Sequence, residues 1–515
     1  MLALAQRDAI TDFPALRPHQ APAWHMLLVQ LAVLATDAVG GALPQDEAEW
    51  RDALRALTPG FDEDEPWSLV VEDWNKPAFL QPPLAAAKAR GDYKRVIATP
   101  DALDLLVTSK NHDLKGERMA LAQAEDWLYA LVSLQTMEGF LGAGNYGIAR
   151  MNGGFASRPM LRIAPAGVGI GGQWLRDVNT LLAKNTVWRK QADASGIGVS
   201  EPVTRLLWLA PWDGDVSLSL AHLHPLAVEI CRRLRLRDAG NARLEAVGAT
   251  SKVARVDAKQ AKGVVGDPWM PTDLRDAKEG PKAFTPTAEG FGYRRMSLLL
   301  DDTLVMPSFL QQPTKDEQRA AVPMELVAAA LTRGQGKTEG FHQRRILLGK
   351  RTMMALASDG QRLAKRAAAF VELASRGSGR VLRPAIIQLL DGKPEPDWKK
   401  PSSEVLARPW QAALDAAIDA RFFDELDASF EAEENDDQAA SRWEQVLADL
   451  IRAQFDRAAL SLPRKGEGRY FAEGRARNRL ESALRKEYLS LRDSKPPQDD
   501  HEQEDADVHI GEEHA

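Results

Sequence analysis

The sequence predicts an α+β protein in which an irregular mixed α/β N-terminal domain is followed by a C-terminal four-helix bundle. The last third of the 515-residue chain carries four long amphipathic patterns in succession. Residues 1–350 instead alternate helical patterns with short strand-like runs and Gly/Pro-rich connections. Apolar spacings of three and four give each helix one stripe, and four such helices suffice for a bundle. We therefore expect a mixed domain over 1–350 and a bundle over 351–492.

The N-terminal domain is expected to contain helices over about 19–37 and 117–138, where apolar residues recur with the helical period. Short apolar runs between long connections predict strands. These runs are SLVV (68–71), RVIAT (95–99), MLRI (160–163), RLLWL (205–209) and RRMSLLL (294–300). Because loops carry many binding sites, this irregular region is the first place to look for function.

The four predicted bundle helices follow one another with clear interruptions. The segments SRGSGR with KPEPDWKKP, then EAEENDD, then SLPRKGEG separate the patterns, and such Gly/Pro-rich or polar runs are typical of loops. The expected helices span about 351–376, 403–430, 438–460 and 470–491. No internal repeat or heptad register accompanies them.

The charge of the chain is unevenly distributed. The net charge is −7, but the last twenty residues carry eight of the 73 acidic residues and no Lys or Arg. Residues 1–495 therefore have 65 acidic against 66 basic residues, a net charge of about +1. We expect the tail, 493–515, to be disordered. Basic stretches in 341–400 and 464–492 indicate either solvated helix faces or a duplex-binding surface.

The composition predicts a cytoplasmic protein without a metal site. No run of about 18 uncharged apolar residues occurs, so we expect no membrane contact, and the N-terminus lacks the pattern of a secretory signal. The single cysteine, Cys231, excludes an intramolecular disulfide framework and a multi-cysteine zinc site. His222 and His224 lack acidic or cysteine partners at ligand spacing, and neither G-x-S-x-G nor H-E-x-x-H occurs. We therefore predict no cofactor and no catalytic residues.

The segment GQGKT, residues 334–338, is similar to a nucleotide-binding P-loop. A P-loop requires G-x-x-x-x-G-K-[ST] between a buried strand and a helix, and here Leu331 occupies the position of the first glycine. The preceding residues, 314–333, predict a helix that Thr314 caps, because alanine is abundant there. The context therefore favours a tight turn or hairpin with Lys337 and Thr338 at its tip.

Two glycine-rich loops combine bare backbone with polar donors. GAGNYGIARMNGGFASRP, residues 142–159, offers Asn145, Arg150, Asn152 and Arg158. AKQAKGVVGDPWMP, residues 258–271, offers Lys259 and Lys262 before a rigid turn. Backbone that can approach closely, together with amide and basic donors, suits the minor groove of DNA. Loop architecture alone is the simpler explanation of each segment.

Five short motifs occur in a fixed order along the chain: AFLQPP (78–83), SKNHDLKGERM (109–119), NYGIARMNGGF (145–155), KGVVGDPWMP (262–271) and RGQGKTEGFHQRR (333–345). Together with the bundle pattern that follows them in the sequence, these motifs resemble the CasA family, the large subunits of the type I-E CRISPR Cascade complex. The resemblance extends from about Phe13 to the last bundle helix. It implies a mixed α/β domain with a four-helix bundle and a non-enzymatic role in antiviral defence.

The resemblance also implies a mechanism and a set of partners. CasA recognises the protospacer-adjacent motif (PAM) of duplex DNA from the minor groove and wedges the duplex open to start the R-loop. The bundle helps to guide the displaced strand, and the subunit recruits the helicase-nuclease. The expected partners are the other Cascade subunits, the CRISPR guide RNA, double-stranded target DNA and that helicase-nuclease.

The site residues implied by the resemblance fall on four segments of this chain. The glycine loop falls on Asn145–Gly154, and the minor-groove lysine falls on Lys259 or Lys262. The wedge falls on Gly336–Gly340, and the loop that contacts the guide-RNA end falls on Thr108–Lys115. The individual residues are Asn145, Arg150, Asn152, Gly153, Gly154, Lys259, Lys262, Gly336, Lys337, Thr338 and Glu339 for DNA, and Lys110, Asn111, His112 and Lys115 for RNA.

The chain departs from the family pattern at three points. It lacks the cysteine cluster of some relatives, the first strand before FPALRPHQ is nearly absent, and the wedge tip is Lys-Thr-Glu. The PAM preference of relatives is therefore not transferable, although degenerate minor-groove readout predicts tolerance of several related PAMs. Two alternatives remain at this point, which are a P-loop-like nucleotide-binding enzyme using Lys337 and Thr338, and a purely structural helical scaffold.

Overall fold

The computed structural model describes residues 1–492 with internal gaps. Two compact units divide the chain: Met1–Ala368 with Phe422–Glu433, and Ala369–Arg421 with the residues from Glu434 onward. The predicted boundary near residue 350 stays a prediction. No helix in the described part combines the length and apolar content of a membrane span. The residues outside the description are 8, 85, 107–118, 120, 140–141, 152–156, 194–195, 201, 321, 335–336, 397, 399–400, 463–465 and 493–515.

The helices of the first unit include both of those predicted. The pattern at 19–37 is one helix, and the pattern at 117–138 forms a helix that begins after a capping box in which Gln123 and Asp126 bond each other's backbone amides. The helices up to residue 358 are α1 (Leu2–Ala5), α2 (Ala21–Ala38), α3 (Glu47–Arg55), α4 (Ala124–Met137), α5 (Ile170–Ala183), α6 (Asn185–Asp193), α7 (Tyr293–Leu298), α8 (Lys315–Ala320) and α9 (Lys350–Ser358).

The strands of the first unit are short except for one long hairpin. Thirteen are described, namely β1 (Arg95–Ile97), β2 (Met160–Pro165), β3 (Thr204–Leu206), β4 (Leu218–Ser219), β5 (Leu223–Val228), β6 (Arg233–Asp238), β7 (Leu244–Ala249), β8 (Val256–Asp257), β9 (Thr272–Asp273), β10 (Lys282–Ala283), β11 (Val305–Met306), β12 (Met324–Gly334) and β13 (Lys337–Leu348).

These strands form several small sheets. The antiparallel sheets have the orders β13-β12-β2, β1-β7-β6 and β10-β9-β11, and the parallel pairs are β3-β5 and β4-β8. Helix α2 supplies the centre of the core, and it is apolar and buried around most of its circumference. The buried side-chain amide of Gln30 donates to the carbonyls of Leu226 and Ala227 in β5 at 3.0 and 3.1 Å. This contact fixes the register of α2 against β5.

Two of the predicted strands are wrong. The SLVV segment has no strand partner because its backbone bonds a nearby turn, with the Phe79 amide donating to the Ser68 carbonyl at 2.9 Å. Most of the RRMSLLL segment is helix α7, which ends at Leu298; Met296 within the helix and Leu299 and Leu300 just after it are buried. Their spacing of three and four is helical, and the short apolar run concealed that period. The runs at 95, 160 and 205 do contribute strands.

The C-terminal helices agree with three of the four predicted patterns, but the pattern over 351–376 is divided at Asp359 into two helices, and the helix Arg383–Asp391 was not predicted. They are α10 (Gly360–Arg376), α11 (Arg383–Asp391), α12 (Pro401–Glu431), α13 (Asp436–Leu460) and α14 (Glu467–Glu487). A π-helical turn, Gly377–Leu382, joins α10 to α11, so SRGSGR is not the loop that its glycines predict. A Cβ on Gly377 would lie 2.1 Å from the Tyr488 hydroxyl, so glycine here permits helix packing. The predicted fold class, α+β with a mixed N-terminal part and a helical C-terminal region, is confirmed.

Candidate nucleic-acid interface

The GQGKT segment lies at the end of the antiparallel hairpin formed by β12 and β13. The strands remain paired as far as Gly334 opposite Lys337, so the predicted hairpin is confirmed. The register shifts between Thr332 and Arg333, and nearby Gly340 has φ of +132°, a conformation that favours glycine. The glycine therefore accommodates the irregularity in the pairing near the hairpin end.

The helix predicted over residues 314–333 is wrong for most of its length. Only α8 forms, with the Thr314 hydroxyl accepting from the Glu317 amide at 3.2 Å as a cap. The alanine-rich part is β12, the central strand of its sheet, where residues 327–331 are buried on both faces. Sheet pairing overrides the helical propensity of alanine there. A P-loop continues into a helix, whereas GQGKT continues into β13, so the P-loop context is absent from this hairpin.

The first glycine-rich loop contains a tight turn between Gly142 and Asn145. The Asn145 amide donates to the Gly142 carbonyl at 2.9 Å. Gly144 within the turn has φ of +83°, and a Cβ on Gly147 would lie 2.7 Å from the Glu138 carbonyl oxygen. Both positions therefore require glycine, one for its backbone angle and one for close packing.

The segment that follows this turn is fixed to a neighbouring loop. The Tyr146 hydroxyl donates to the Lys252 carbonyl at 2.8 Å. The Tyr146 carbonyl accepts a hydrogen bond from the Arg232 guanidinium. Sequence inspection did not single out Tyr146 or Lys252, because the two positions are far apart in the chain and lack a spacing signal.

Arg150 and Arg158, both predicted DNA donors of this loop, are buried. Only 2% of each residue is exposed, and both guanidinium groups lie beside Asp267. Arg158 forms two hydrogen bonds with that carboxylate, at 2.6 and 2.9 Å. Arg150 also pairs with Glu229, which accepts from the Ala149 amide at 2.7 Å. The two arginines thus anchor the base of the loop inside the core.

The electrostatics of this cluster agree with a structural role. Burial acts to raise the pKa of Asp267, but the charges of Arg158 and Arg150 outweigh it and hold that pKa below the ordinary carboxyl value. Burial lowers the pKa of Arg158 despite the attraction of Asp267. Because the charge of Arg150 is compensated and shielded, the DNA interface that is proposed below does not include this predicted residue.

The two candidate lysines of the second loop have different environments. Lys262 has a left-handed backbone conformation with φ of +48°, and its ammonium group pairs with the Glu279 carboxylate at 2.9 Å. Lys259 is exposed on a short 3-10 turn, and within the described residues no carboxylate lies at salt-bridge distance from it. The charge of Lys259 is therefore available to a ligand, whereas that of Lys262 is partly compensated.

Gly263 brings this lysine turn against the first glycine loop. A Cβ at that position would lie 3.0 Å from the Arg150 carbonyl oxygen, 2.9 Å from the Met151 carbonyl carbon and 2.6 Å from the Ala283 Cβ. Gly263 also has φ of +80°. Because only glycine satisfies both constraints without strain, this residue sets the distance between the two loops.

A groove of about 500 Å³ lies between the two loops. Residues of the segment Tyr146–Met151 other than Arg150 line it, together with Ser217 and residues of the segment Lys252–Lys259 other than Arg255. Backbone and apolar atoms form much of its wall, with Tyr146, Ser217, Lys252, Asp257 and Lys259 as polar members. We refer to this space as the loop groove.

The hairpin is connected to the first glycine loop through the backbone. The Ser157 amide, near the end of that loop, donates to the Leu331 carbonyl of β12 at 3.0 Å. Leu331 is three residues from Gly334 at the end of the hairpin strand. The structure therefore brings the glycine loop, the lysine turn and the base of the hairpin end into one region, although they are widely separated in sequence.

The segment predicted to contact guide RNA lies outside the described residues. Before that gap, the buried Asp104 carboxylate accepts from the Gln20 amide and bonds the His19 ring, each at 2.8 Å, and it also accepts from the Leu106 amide at 2.9 Å. Burial acts to raise the pKa of Asp104, but contacts with His19 and Arg17 lower it overall. Asp104 thus fixes the described chain that precedes the gap.

The predicted site residues are only partly described. Asn145 and Lys262 are partly exposed, Lys259 and Glu339 are exposed, and Arg150 is buried. Lys337 and Thr338 are described by their backbone alone. No group of three or more His, Cys, Asp or Glu side chains suited to a metal occurs in the described part of the chain. The predicted residues outside the described part are Lys110, Asn111, His112, Lys115, Asn152, Gly153, Gly154 and Gly336.

Solved structures provide the comparison that decides the fold. The crystal structure of CasA from Thermus thermophilus matches 94% of this chain and 94% of its own, with a TM-score of 0.59 and 16% identity. The fold of this chain is that of CasA. Crystal structures of Cse1 from Acidimicrobium ferrooxidans and Thermobifida fusca each match 94% of this chain and 92% of theirs, with TM-scores of 0.59 and 15% identity. No family model and no curated protein matches the sequence.

The match covers both halves of the chain, so the CasA fold includes the small sheets and the C-terminal helices together. The resemblance stated from the five motifs is confirmed at the level of fold. Identities of 14–16% leave the function to be argued from the loop groove and the hairpin.

Proposed function

We propose that this chain is the large subunit of a type I-E Cascade complex. In that role it recognises the PAM of duplex DNA from the minor groove, and its hairpin wedges the duplex open to start the R-loop. It acts without catalysis of its own, alongside the other Cascade subunits and the guide RNA, and it recruits the helicase-nuclease. The CasA fold over 94% of the chain supports this proposal.

One observation carries the proposal beyond fold similarity. Three segments separated in sequence converge on one region, namely the glycine loop from Asn145, the turn bearing Lys259, and the hairpin that ends at Gly334. Minor-groove readers need bare backbone, amide donors and a cation that reach between the two phosphate backbones. The lining of the loop groove includes both close-packed loop backbone and the exposed cation of Lys259.

We assign the minor-groove cation to Lys259. Its ammonium group is exposed and uncompensated within the described residues, and the residue lines the loop groove. Lys262 would first have to leave Glu279, whose carboxylate and backbone carbonyl both accept from it. Because breaking the ion pair between Lys262 and Glu279 costs free energy, binding of DNA through Lys262 would be weaker, and Lys259 is the more effective donor.

The hairpin supplies the wedge. Opening a base step costs a few kcal/mol, and contacts to the parted duplex recover part of that cost. RNA–DNA pairing then roughly balances the duplex that is lost, so a small local opening next to the PAM suffices to nucleate the R-loop. The long paired stem of β12 and β13 gives the wedge a rigid base in the sheet.

The first experiment compares two lysines in an assembled complex. Cascade carrying Lys259→Ala is expected to bind target duplex about tenfold more weakly than wild type, as lost charge-assisted contacts commonly do. Cascade carrying Lys262→Ala is the matched control and should lose much less. Electrophoretic mobility shift at fixed salt measures both. Equal affinity of the Lys259 variant and wild type would reject the assignment of Lys259.

The second experiment tests the wedge. The double variant Lys337→Ala/Thr338→Ala should assemble normally but form R-loops more slowly, as followed by permanganate reactivity of unpaired thymines beside the PAM. Normal R-loop formation would reject the wedge. A nucleotide-binding assay covers the competing enzyme hypothesis, because tight Mg-ATP binding that is lost on Lys337→Ala would favour a P-loop function instead.

A further inference from the structure

A second cavity of about 350 Å³ lies beside the glycine loop and is separate from the loop groove. Asn145 lines it, whereas the groove begins at the next residue, Tyr146. The remaining wall comes from strands β1, β6 and β7 with the residues next to them, from the end of helix α4, and from the segment before the guide-RNA loop gap. Its size lies within the range of ordinary small-ligand sites. We refer to it as the arginine cavity.

The arginine cavity has a positive lining. Arg95, Arg232 and Arg233 contribute three cations, against the single carboxylate of Glu138, which lies 3.7 Å from Arg232. Arg233 is occupied, because it donates to the Thr250 carbonyl at 2.8 Å and pairs with Asp92 at 3.1 Å. Arg95 is exposed, and within the described residues it has neither a carboxylate at salt-bridge distance nor a hydrogen-bond acceptor. An anion is the ligand that this charge pattern favours.

Part of the cavity lining is apolar. Leu103, Leu105, Leu134 and Leu234 contribute to it, and Asn145 adds a side-chain amide. A free cation, an apolar surface and an amide in one lining are the groups that contact the phosphate, the base face and the base edge of a nucleotide. A base paired within a duplex cannot enter such a concave site, so the ligand has to be unpaired.

We propose that the arginine cavity binds one unpaired nucleotide of a nucleic-acid strand, with Arg95 on its phosphate and Asn145 on its base. Guide RNA and unwound DNA share this chemistry, and the test below separates them. The proposal takes its ligand class from the proposed function, but it concerns a different cavity. Lys259 and the loop groove have no part in it.

The first test uses the purified full-length chain and a fluorescent eight-nucleotide strand, made once as RNA and once as DNA. Arg95→Gln is expected to weaken binding of the preferred strand about tenfold and to reduce its salt dependence by about 0.7, the value for one phosphate contact on a single strand. Lys94→Gln is the matched control, because Lys94 is an exposed neighbour outside the cavity lining. Fluorescence anisotropy over a salt series measures both quantities.

A second pair of variants tests the cavity itself at constant charge. Thr250→Trp places a large ring at an exposed position of the cavity lining, and it should weaken strand binding as much as Arg95→Gln. Val96→Trp adds the same ring on the opposite face of β1, since successive strand residues alternate, and should have no effect. Circular dichroism verifies that each variant is folded.

The outcomes are distinct. Weaker strand binding by Arg95→Gln and by Thr250→Trp, with unchanged binding by both control variants, supports the cavity as the binding site. The strand whose binding is weakened, RNA or DNA, shows whether the ligand is guide RNA or unwound DNA. If Lys94→Gln weakens strand binding as much as Arg95→Gln does, the strand binds through non-specific surface charge and the proposal is overturned. The proposal is also overturned if every variant binds the strand as well as wild type, or if wild type does not bind it. Lys259→Ala should leave single-strand binding intact, so failure of the duplex test and failure of this one are separate results.

Discussion

The two glycine-rich loops use their basic residues in opposite ways. In the first loop Arg150 and Arg158 are buried against Glu229 and Asp267, where they stabilise the loop from beneath. In the second loop Lys259 is exposed at the edge of the loop groove. In sequence these residues have similar contexts, each close to glycines. The difference shows that a basic residue in a flexible-looking loop indicates a ligand site only when its charge is left uncompensated by the fold.

The largest effect is expected from breaking the buried cluster. Arg158→Ala leaves the buried Asp267 carboxylate with a longer contact to Arg150 as its one ion pair in the described residues, beside the Trp269 amide, so the free energy of unfolding should fall by about 3–5 kcal/mol. Urea denaturation followed by tryptophan fluorescence measures it. Arg243→Ala, at an exposed arginine, is the control and should change stability by less than about 0.5 kcal/mol. Similar small losses in both variants would contradict the structural role of Arg158.

A smaller effect is expected where the two loops touch. Gly263→Ala must strain a left-handed backbone and also displace Ala283 and the Arg150 carbonyl, so it should cost more than the roughly 1–3 kcal/mol of backbone strain alone. Gly280→Ala separates the two causes, because Gly280 has φ of +74° with no atom within 4 Å of the added Cβ. If the two variants lose equal stability, the close approach at Gly263 contributes nothing.

The pH dependence of stability sharpens the contrast between the buried and exposed charges. The pKa of Asp267 is lower in the folded chain than its ordinary value, so its contribution to stability is present above about pH 4 and is lost as pH falls through the folded-state pKa. The stability difference between wild type and Asp267→Asn should therefore shrink between pH 6 and pH 3. Denaturation at several pH values measures it, and a constant difference would show that Asp267 titrates normally.

The smallest effect on stability is expected at the groove edge. Lys259→Ala removes an exposed charge without a carboxylate partner in the described residues, so the free energy of unfolding should change by less than about 0.5 kcal/mol. The same variant is expected to weaken target binding in the complex, as proposed above. A stability loss as large as that of Arg158→Ala would show that Lys259 has a structural role, and would contradict the difference proposed between the two loops.

The sequence predicted the hairpin correctly and its first strand incorrectly. The glycines around residue 334 indicate a turn because their backbone requirements are local. The alanine-rich stretch of β12 indicates a helix locally, and only its position between β2 and β13 makes it a strand. The SRGSGR segment is a second case in which tertiary contacts override a local pattern. Its Gly377 allows close packing against Tyr488 within a helical turn and does not form a loop.

The sequence by itself determined the α+β class, the helical C-terminal region, the turn at GQGKT and the resemblance to CasA. These depend on periodicity and on short motifs, which are local properties of the chain. Only the tertiary structure decided that Arg150 is buried while Lys259 is exposed, and only it brought Arg95 and Asn145 to one cavity. Burial and charge compensation depend on residues distant in sequence, such as Glu229 and Asp267, so no local pattern encodes them.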